Sequence, residues 1–87
     1  MTTHDLKAWP TYFQRVWDGD KRFELRRNDR GFRECDRLVL REWDPAAEGY
    51  TGREVTATID CIVEDAEEWG LMDGFCIMSI HVMERSE

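Results

Sequence analysis

The chain has 87 residues, a net charge of -7 and a hydrophobic share of 41%. A chain of this length forms one domain with a small core, and its four tryptophans argue against a disordered polypeptide. The acidic balance excludes a uniformly basic surface that coats duplex nucleic acid or an anionic membrane, but it leaves room for a local basic groove.

The first elements are a short strand and a helix. Residues 5–9 are predicted as the strand, and Pro10 then suits the first helical position, because its missing N–H would have no partner there. The helix covers residues 11–18, and Gly19 is typical of the position just past a helix C-terminus. We expect one helix face to pack on the core through apolar residues at helical spacing, which are Tyr12, Phe13, Val16 and Trp17.

Four further strands follow at regular spacing. They are predicted at residues 22–28, 37–43, 53–64 and 75–83. In the first of them Phe23 and Leu25 alternate with charged residues, so we expect these two side chains to face the core. Residues 44–52 form a loop, and residues 65–74 form an acidic loop or a single helical turn that Trp69 closes.

Five strands and one early helix predict an α+β, mainly β domain. The favoured architecture is a small, strongly curved five-stranded β-barrel with one N-terminal helix at one end, and an open α+β sandwich is the alternative. The last strand, with apolar residues at alternate positions, is expected to be an inner strand. Cys61 and Cys76 are expected to fill the core.

Cysteine usage and hydropathy bear on location. Three cysteines without a C-x-x-C spacing suit a reducing, cytoplasmic compartment. We see no apolar run of the length that a signal peptide or a membrane helix needs. No His, Cys and Asp cluster has the spacing of a metal site, so we expect no metal and no cofactor.

The segment from Gly19 to Arg33, GDKRFELRRNDRGFR, concentrates positive charge. Six of the 12 basic residues lie between positions 21 and 33, opposed by only two acidic residues. This stretch therefore carries +4, and the remainder of the chain carries -11. Such an asymmetry indicates either a local anion site or a solvated charged surface.

The same segment resembles a known motif. Gly19-Asp20-Lys21-Arg22-Phe23-Glu24-Leu25-Arg26 is similar to the G-x-K-x-x-E-x-R motif of the ASCH superfamily, whose members are small β-barrels related to the PUA domain. The wider pattern is closer to one branch, the DUF3850 family, through the pieces HDLK, LVLREWDP and YTGRE that begin at His4, Leu38 and Tyr50. One departure is Cys35 before Asp36, where the family usually has a Gly-Asp pair.

This resemblance implies a PUA-like barrel with a groove between the helix, the second strand and the loops around it. In the superfamily the groove is the suspected site for RNA or modified nucleotides. Some short members hydrolyse acetylated cytidine with the motif lysine, a threonine and a distant glutamate. Lys21 matches the lysine, but Glu24 occupies the threonine position, and no motif chooses among Glu64, Glu67 and Glu68 for the distant acid.

We expect a groove that binds RNA or a nucleotide. Its predicted contacts are Lys21, Glu24, Arg26, Arg27, Arg30, Trp9, Trp43, Tyr50 and His4. Glu24 and Arg26 lie two residues apart on a strand, so they share a face and form either an ion pair or a donor–acceptor pair for a base edge. Cations near the turn at residues 28–31 can grip phosphate in a bidentate manner, whereas Arg22 and Arg33 are expected to be solvated.

The other candidates have structural alternatives. Trp9 and Trp43 can stack on a base or seal the ends of a barrel, and Tyr50 lies in a loop where it is freer to touch a ligand. His4 is either a ligand contact or a structural histidine, and His81 has no partner that the sequence identifies.

Three functions are compatible with these residues. The first is a nucleic-acid or nucleotide-binding module. The second is an amidohydrolase acting on a modified pyrimidine nucleoside, in which Lys21 and Glu24 would be catalytic. The third is an acidic protein-interaction or inhibitor domain that binds a basic protein partner.

Overall fold

The computed structural model describes residues 1–87 as five strands and one α-helix, in the order that the sequence predicts. The elements are β1 (Thr3–Ala8), α1 (Pro10–Trp17), β2 (Phe23–Arg27), β3 (Arg37–Asp44), β4 (Gly49–Val63) and β5 (Phe75–Ser86), with a short 3-10 helix at Glu67–Trp69. More than half of the residues lie in strands, so the mainly β prediction is confirmed.

The strands form one sheet in the order β1-β3-β4-β5-β2. β1 runs parallel to β3, and all other neighbours are antiparallel. β1 and β2 are therefore the two edges. β5 lies between β4 and β2, which confirms the prediction of an inner strand.

Arginine side chains connect the two edges of the sheet. Arg26 Nη2 donates to the carbonyl oxygen of Lys7 at 2.9 Å, and Arg30 Nη1 donates to that of Asp5 at 2.7 Å. Both acceptors belong to β1, while Arg26 belongs to β2 and Arg30 follows it. The sheet thus curls into a half-barrel whose open side is bridged by guanidinium groups.

The core lies between α1 and the concave face of the sheet. Phe13 and Val16 of the helix are fully buried, and Trp17 packs partly buried against the same cluster. The strands contribute alternate residues: Leu6, Ala8, Leu38, Leu40, Val55, Ala57, Ile59, Cys76, Met78 and Ile80. The predicted helix face is confirmed for these three residues, whereas Tyr12 is 62% exposed.

The inward face of β2 is opposite to the prediction. Glu24 is only 5% exposed, while Phe23 and Leu25 are 44% and 54% exposed. A period of two decides which residues share a face but not which face is buried. Here two cations accompany Glu24 inward, and their hydrogen bonds offset the cost of burying its charge.

Three other local predictions are wrong. Cys61 is exposed because the register with β5 shifts between Ile59 and Cys61, so this bulge turns the thiol outward and Ile62 inward. Trp69 is 84% exposed and does not close its loop. Strand β4 begins at Gly49, inside the predicted loop, because the β3–β4 hairpin continues to a tight turn.

Candidate functional site

A groove of about 660 Å³ lies between α1 and the adjoining ends of β1 and β2. Its lining residues are Lys7, Ala8, Trp9, Tyr12, Arg15, Asp20, Lys21, Phe23, Glu24, Leu25 and Arg26. Local structure explains how they meet. The chain enters α1 at Pro10 directly after β1, and Gly19, with φ of 87°, turns it back toward β2. The backbone N–H groups of Asp20 and Lys21 both bond to the Arg15 carbonyl at 3.0 Å, which holds this return against the helix.

A buried carboxylate with two cations lies in this groove. Lys21 Nζ is 2.8 Å from Glu24 Oε1, and Arg26 Nε is 2.9 Å from Glu24 Oε2. Lys21 Nζ also donates to the Phe23 carbonyl at 2.7 Å. Two positive charges thus accompany one negative charge, so the triad is an electropositive and well-ordered part of the groove.

Aromatic side chains provide much of the groove wall. Trp9 is 55% exposed, and Tyr12 and Phe23 are also largely exposed. The Lys21 ammonium lies 4.8 Å from the centroid of the Phe23 ring. Trp9 therefore lines an open concave surface beside charged groups and does not seal a barrel end.

The structure brings together four of the predicted contacts in this groove: Trp9, Lys21, Glu24 and Arg26. Arg27 and Arg30 lie outside its lining. The Arg27 guanidinium packs 4.8 Å from the Phe75 ring, and Arg30 binds the β1 backbone.

Trp43 and Tyr50 also lie outside the lining, on the β3–β4 hairpin. Their rings meet edge to face at 5.0 Å, and the Lys7 ammonium lies 3.9 Å from the centroid of the Trp43 ring. Because Lys7 also lines the groove, its side chain lies between Trp43 and the groove.

His4 lies outside the groove lining, in a buried pair with Asp36. It is buried, and its Nε2 lies 2.9 Å from Asp36 Oδ2. Asp36 also accepts hydrogen bonds from the backbone N–H groups of Thr2 and Arg33. The bond with His4, then that from Thr2, lowers the pKa of the Asp36 carboxyl below its ordinary value.

Seven groove residues are not among the predicted contacts: Lys7, Ala8, Tyr12, Arg15, Asp20, Phe23 and Leu25. The spacing of Tyr12, Phe23 and Leu25 predicts core positions for them, and the sequence predicts no site role for the other four. The helix periodicity could have identified Arg15, which lies opposite the buried Phe13 on a short helix next to the charged motif. No signal in the sequence indicates that Tyr12 is exposed.

Another buried carboxylate, that of Glu42, supports the helix rather than the groove. Glu42 accepts bonds from Arg53 Nε at 2.9 Å and from Thr51 Oγ1 at 2.7 Å, and Arg53 Nη2 also bonds to Gln14 Oε1 on α1. The hydrogen bond from Arg53 is the main reason that the pKa of Glu42 is lowered. The REWDP and YTGRE pieces therefore meet at one ion pair beneath α1.

No group of three or more His, Cys, Asp or Glu side chains is placed to hold a metal ion. The structure contains no helix that is long and apolar enough to span a membrane, and α1 has only eight residues.

The fold and the groove define a class: small, mainly β half-barrel domains with one early helix and a charged, aromatic-lined groove beside it. Within that class the chain belongs to the DUF3850 family, described as a domain of unknown function, which matches residues 3–80. The chain is also similar to an "Uncharacterized 12.9 kDa protein in GpA 3'region" of Escherichia phage P2, with 38% identity over 66 residues. That match covers 76% of this chain and 58% of the phage protein, so the chain spans less than two thirds of this relative's length.

Proposed function

We propose that the groove binds a nucleotide or a short single-stranded RNA segment. The observation that carries this proposal is the Lys21–Glu24–Arg26 triad, a buried carboxylate with two partly buried cations, in a groove whose walls include exposed aromatic rings. Stacking rings with a few oriented polar groups are the usual means of holding an unpaired base.

The charge of the groove supports an anionic ligand. Four of the lining residues are cationic and two are acidic, although the whole chain has a net charge of -7. Arg15 forms no ion pair, and Arg26 has one terminal nitrogen, Nη1, without a protein acceptor. These donors are available to a phosphate or to the edge of a base.

The first test of the proposal replaces an aromatic residue of the groove wall. Replacing Trp9 by alanine (Trp9→Ala) removes a stacking surface, so we expect affinity for nucleotides or short RNA to fall about tenfold, within the range of one base–aromatic stack. Isothermal titration with the four nucleoside monophosphates and a short RNA measures this. Trp69→Ala is the matched control, since Trp69 is 84% exposed and lies outside the groove.

Two results would contradict the proposal. One is the absence of measurable binding to every nucleotide and RNA tested, by a protein whose unfolding transition is intact. The other is an equal effect of the Trp9 and Trp69 substitutions. RNA affinity should also decrease with salt, with a shallow slope that corresponds to only a few phosphate contacts.

An amidohydrolase is the second candidate, and one observation favours it. The groove contains a second carboxylate, Asp20, beside the Lys21–Glu24 pair, so two acids and a lysine line one cavity. Such a set can hold water and protonate a leaving amine. Incubation with acetylated cytidine and mass detection of released cytidine tests this, with Lys21→Met as the inactive variant.

The proposal includes two broader assignments. The half-barrel with an early helix supports membership of the ASCH/PUA-like superfamily, and three free thiols suit the cytoplasm.

A further inference from the structure

A second, smaller cavity of about 250 Å³ lies next to the groove, between the turn after α1 and strand β5. Its lining residues are Gly19, Lys21, Arg22, Ile80, His81, Val82 and Arg85. Lys21 lines both cavities, so the two are adjacent. Neither Arg22 nor His81 was expected from the sequence to share a site.

Two arginines of this cavity are anchored in the same manner. Arg22 Nε donates to the Gly19 carbonyl at 3.0 Å, and Arg85 Nε donates to the Trp17 carbonyl at 2.7 Å. The Trp17 carbonyl belongs to the last turn of α1, where unpaired carbonyl groups carry partial negative charge, and the Gly19 carbonyl lies in the turn that follows. Each guanidinium is therefore oriented through Nε, while its terminal nitrogens have no protein acceptor.

The charges around the cavity are unbalanced. Neither Arg22 nor Arg85 forms an ion pair, and no carboxylate is among the seven lining residues. This is notable in a chain with 19 acidic and 12 basic residues. Two oriented guanidinium groups without a counterion form a local site for an anion.

We propose that this cavity is a phosphate subsite, in which Arg22 and Arg85 grip the phosphate. Phosphate suits the arrangement because its several oxygens can accept bonds from two guanidinium forks at once. In a further step, which rests on the proposed function, the phosphate belongs to the nucleotide whose ring occupies the groove. Lys21 then lies between the ring and the phosphate.

Binding of phosphate alone tests the subsite. Inorganic phosphate and pyrophosphate are titrated into the 15N-labelled protein at constant ionic strength, and the Nε–H signals of the arginines are followed. We expect saturable shifts at Arg22 and Arg85. Arg22→Gln and Arg85→Gln should each weaken binding about tenfold, as expected for the loss of one charged hydrogen-bonding partner.

Arg33→Gln is the matched control, since Arg33 is exposed and lines neither cavity. Arg85→Lys keeps the charge but loses the fork, so it should retain part of the affinity. Equal weakening by Arg33→Gln, or no saturable shift at Arg22 and Arg85, would overturn the subsite.

Comparing a nucleoside with its 5′-monophosphate tests the phosphate subsite separately from the proposed function of the groove. A nucleoside reports on the groove alone, whereas its 5′-monophosphate reports on both cavities. We expect the monophosphate to bind at least about tenfold more tightly, and this gain to disappear in Arg22→Gln. A nucleoside that binds as tightly as its monophosphate would refute the subsite and leave the groove proposal intact. Phosphate binding without nucleoside binding would support the subsite and contradict the groove proposal.

Discussion

At the residue scale, the chain buries two glutamates, Glu24 and Glu42, and surrounds them differently. Glu42 is held by Arg53 and Thr51 beneath the helix, away from the groove lining. Glu24 is held by Lys21 and Arg26 in the groove, where a ligand can reach the same cations. Similar chemistry therefore stabilises the fold in one place and prepares a candidate binding site in the other.

The Glu42–Arg53 pair gives a prediction about stability. Arg53→Met leaves the Glu42 carboxylate buried without its main partner, so we expect the free energy of unfolding to fall by about 2–4 kcal/mol. Urea unfolding measures the loss. Arg41→Met is the control, because Arg41 forms an exposed ion pair with Asp5 and should lose less than about 1 kcal/mol. A similar loss in both variants would contradict a special role for the buried pair.

At the element scale, the turn into β3 depends on an unusual backbone conformation. Cys35 has φ of 73°, in the left-handed region that favours glycine, and its N–H bonds to the Ile59 carbonyl at 2.8 Å. The resemblance to the DUF3850 pattern predicts glycine at this position. Cys35 therefore adopts this turn at a cost in backbone strain, and the β3 that follows pairs with β1 and β4.

Restoring glycine at this turn should stabilise the protein. We expect Cys35→Gly to raise the free energy of unfolding by about 0.5–1 kcal/mol, because relief of the left-handed strain exceeds the added flexibility of the unfolded chain. Thermal and urea unfolding measure the gain. Cys35→Ala removes the same thiol but keeps a Cβ, so it should not stabilise; an equal gain there would assign the effect to the thiol instead.

At the scale of the whole molecule, an acidic chain concentrates cations at the open side of a half-barrel. Arg26 and Arg30 bridge the sheet edges, and Arg22 and Arg85 bind the carbonyls at the end of α1. Arg26 and Arg30 thus cover acceptors of β1 that a closed barrel would pair with strand N–H groups. The interpretation of the chain as an acidic partner of a basic protein stays a prediction.

The free energy of unfolding of the whole protein should depend on pH in the acidic range. The pKa values of Asp36 and Glu42 are lowered in the folded protein, by the bonds from His4 and Arg53 respectively. Their stabilising contribution is therefore complete above the pKa values of the unfolded chain, about 4, and is lost as the pH falls through the lower folded values. We expect the free energy of unfolding to decrease from about pH 5 downward.

Urea unfolding at a series of pH values measures this decrease. Asp36→Asn should reduce both the stability at neutral pH and the slope below pH 5, because the substituted side chain no longer gains protons on unfolding. A slope identical to that of the original protein would show that Asp36 makes no contribution.

The order of elements, the helix face at Phe13 and Val16, and the inner position of β5 could all be predicted from local patterns. Hydrophobic spacing, proline and glycine act over a few residues, so their information is already present in the linear chain. The same is true of the motif that contains Lys21, Glu24 and Arg26, since residues two apart on a strand must share a face.

The tertiary structure decided which face of β2 is buried, that Tyr12 and Arg15 line the groove, and that Arg22 and Arg85 meet across distant positions. These outcomes depend on the curl of the sheet and on which polar groups find partners when they are buried. Both are balances among groups far apart along the chain. Local spacing identifies residues that could make such contacts, but the packing of the whole molecule determines which contacts form.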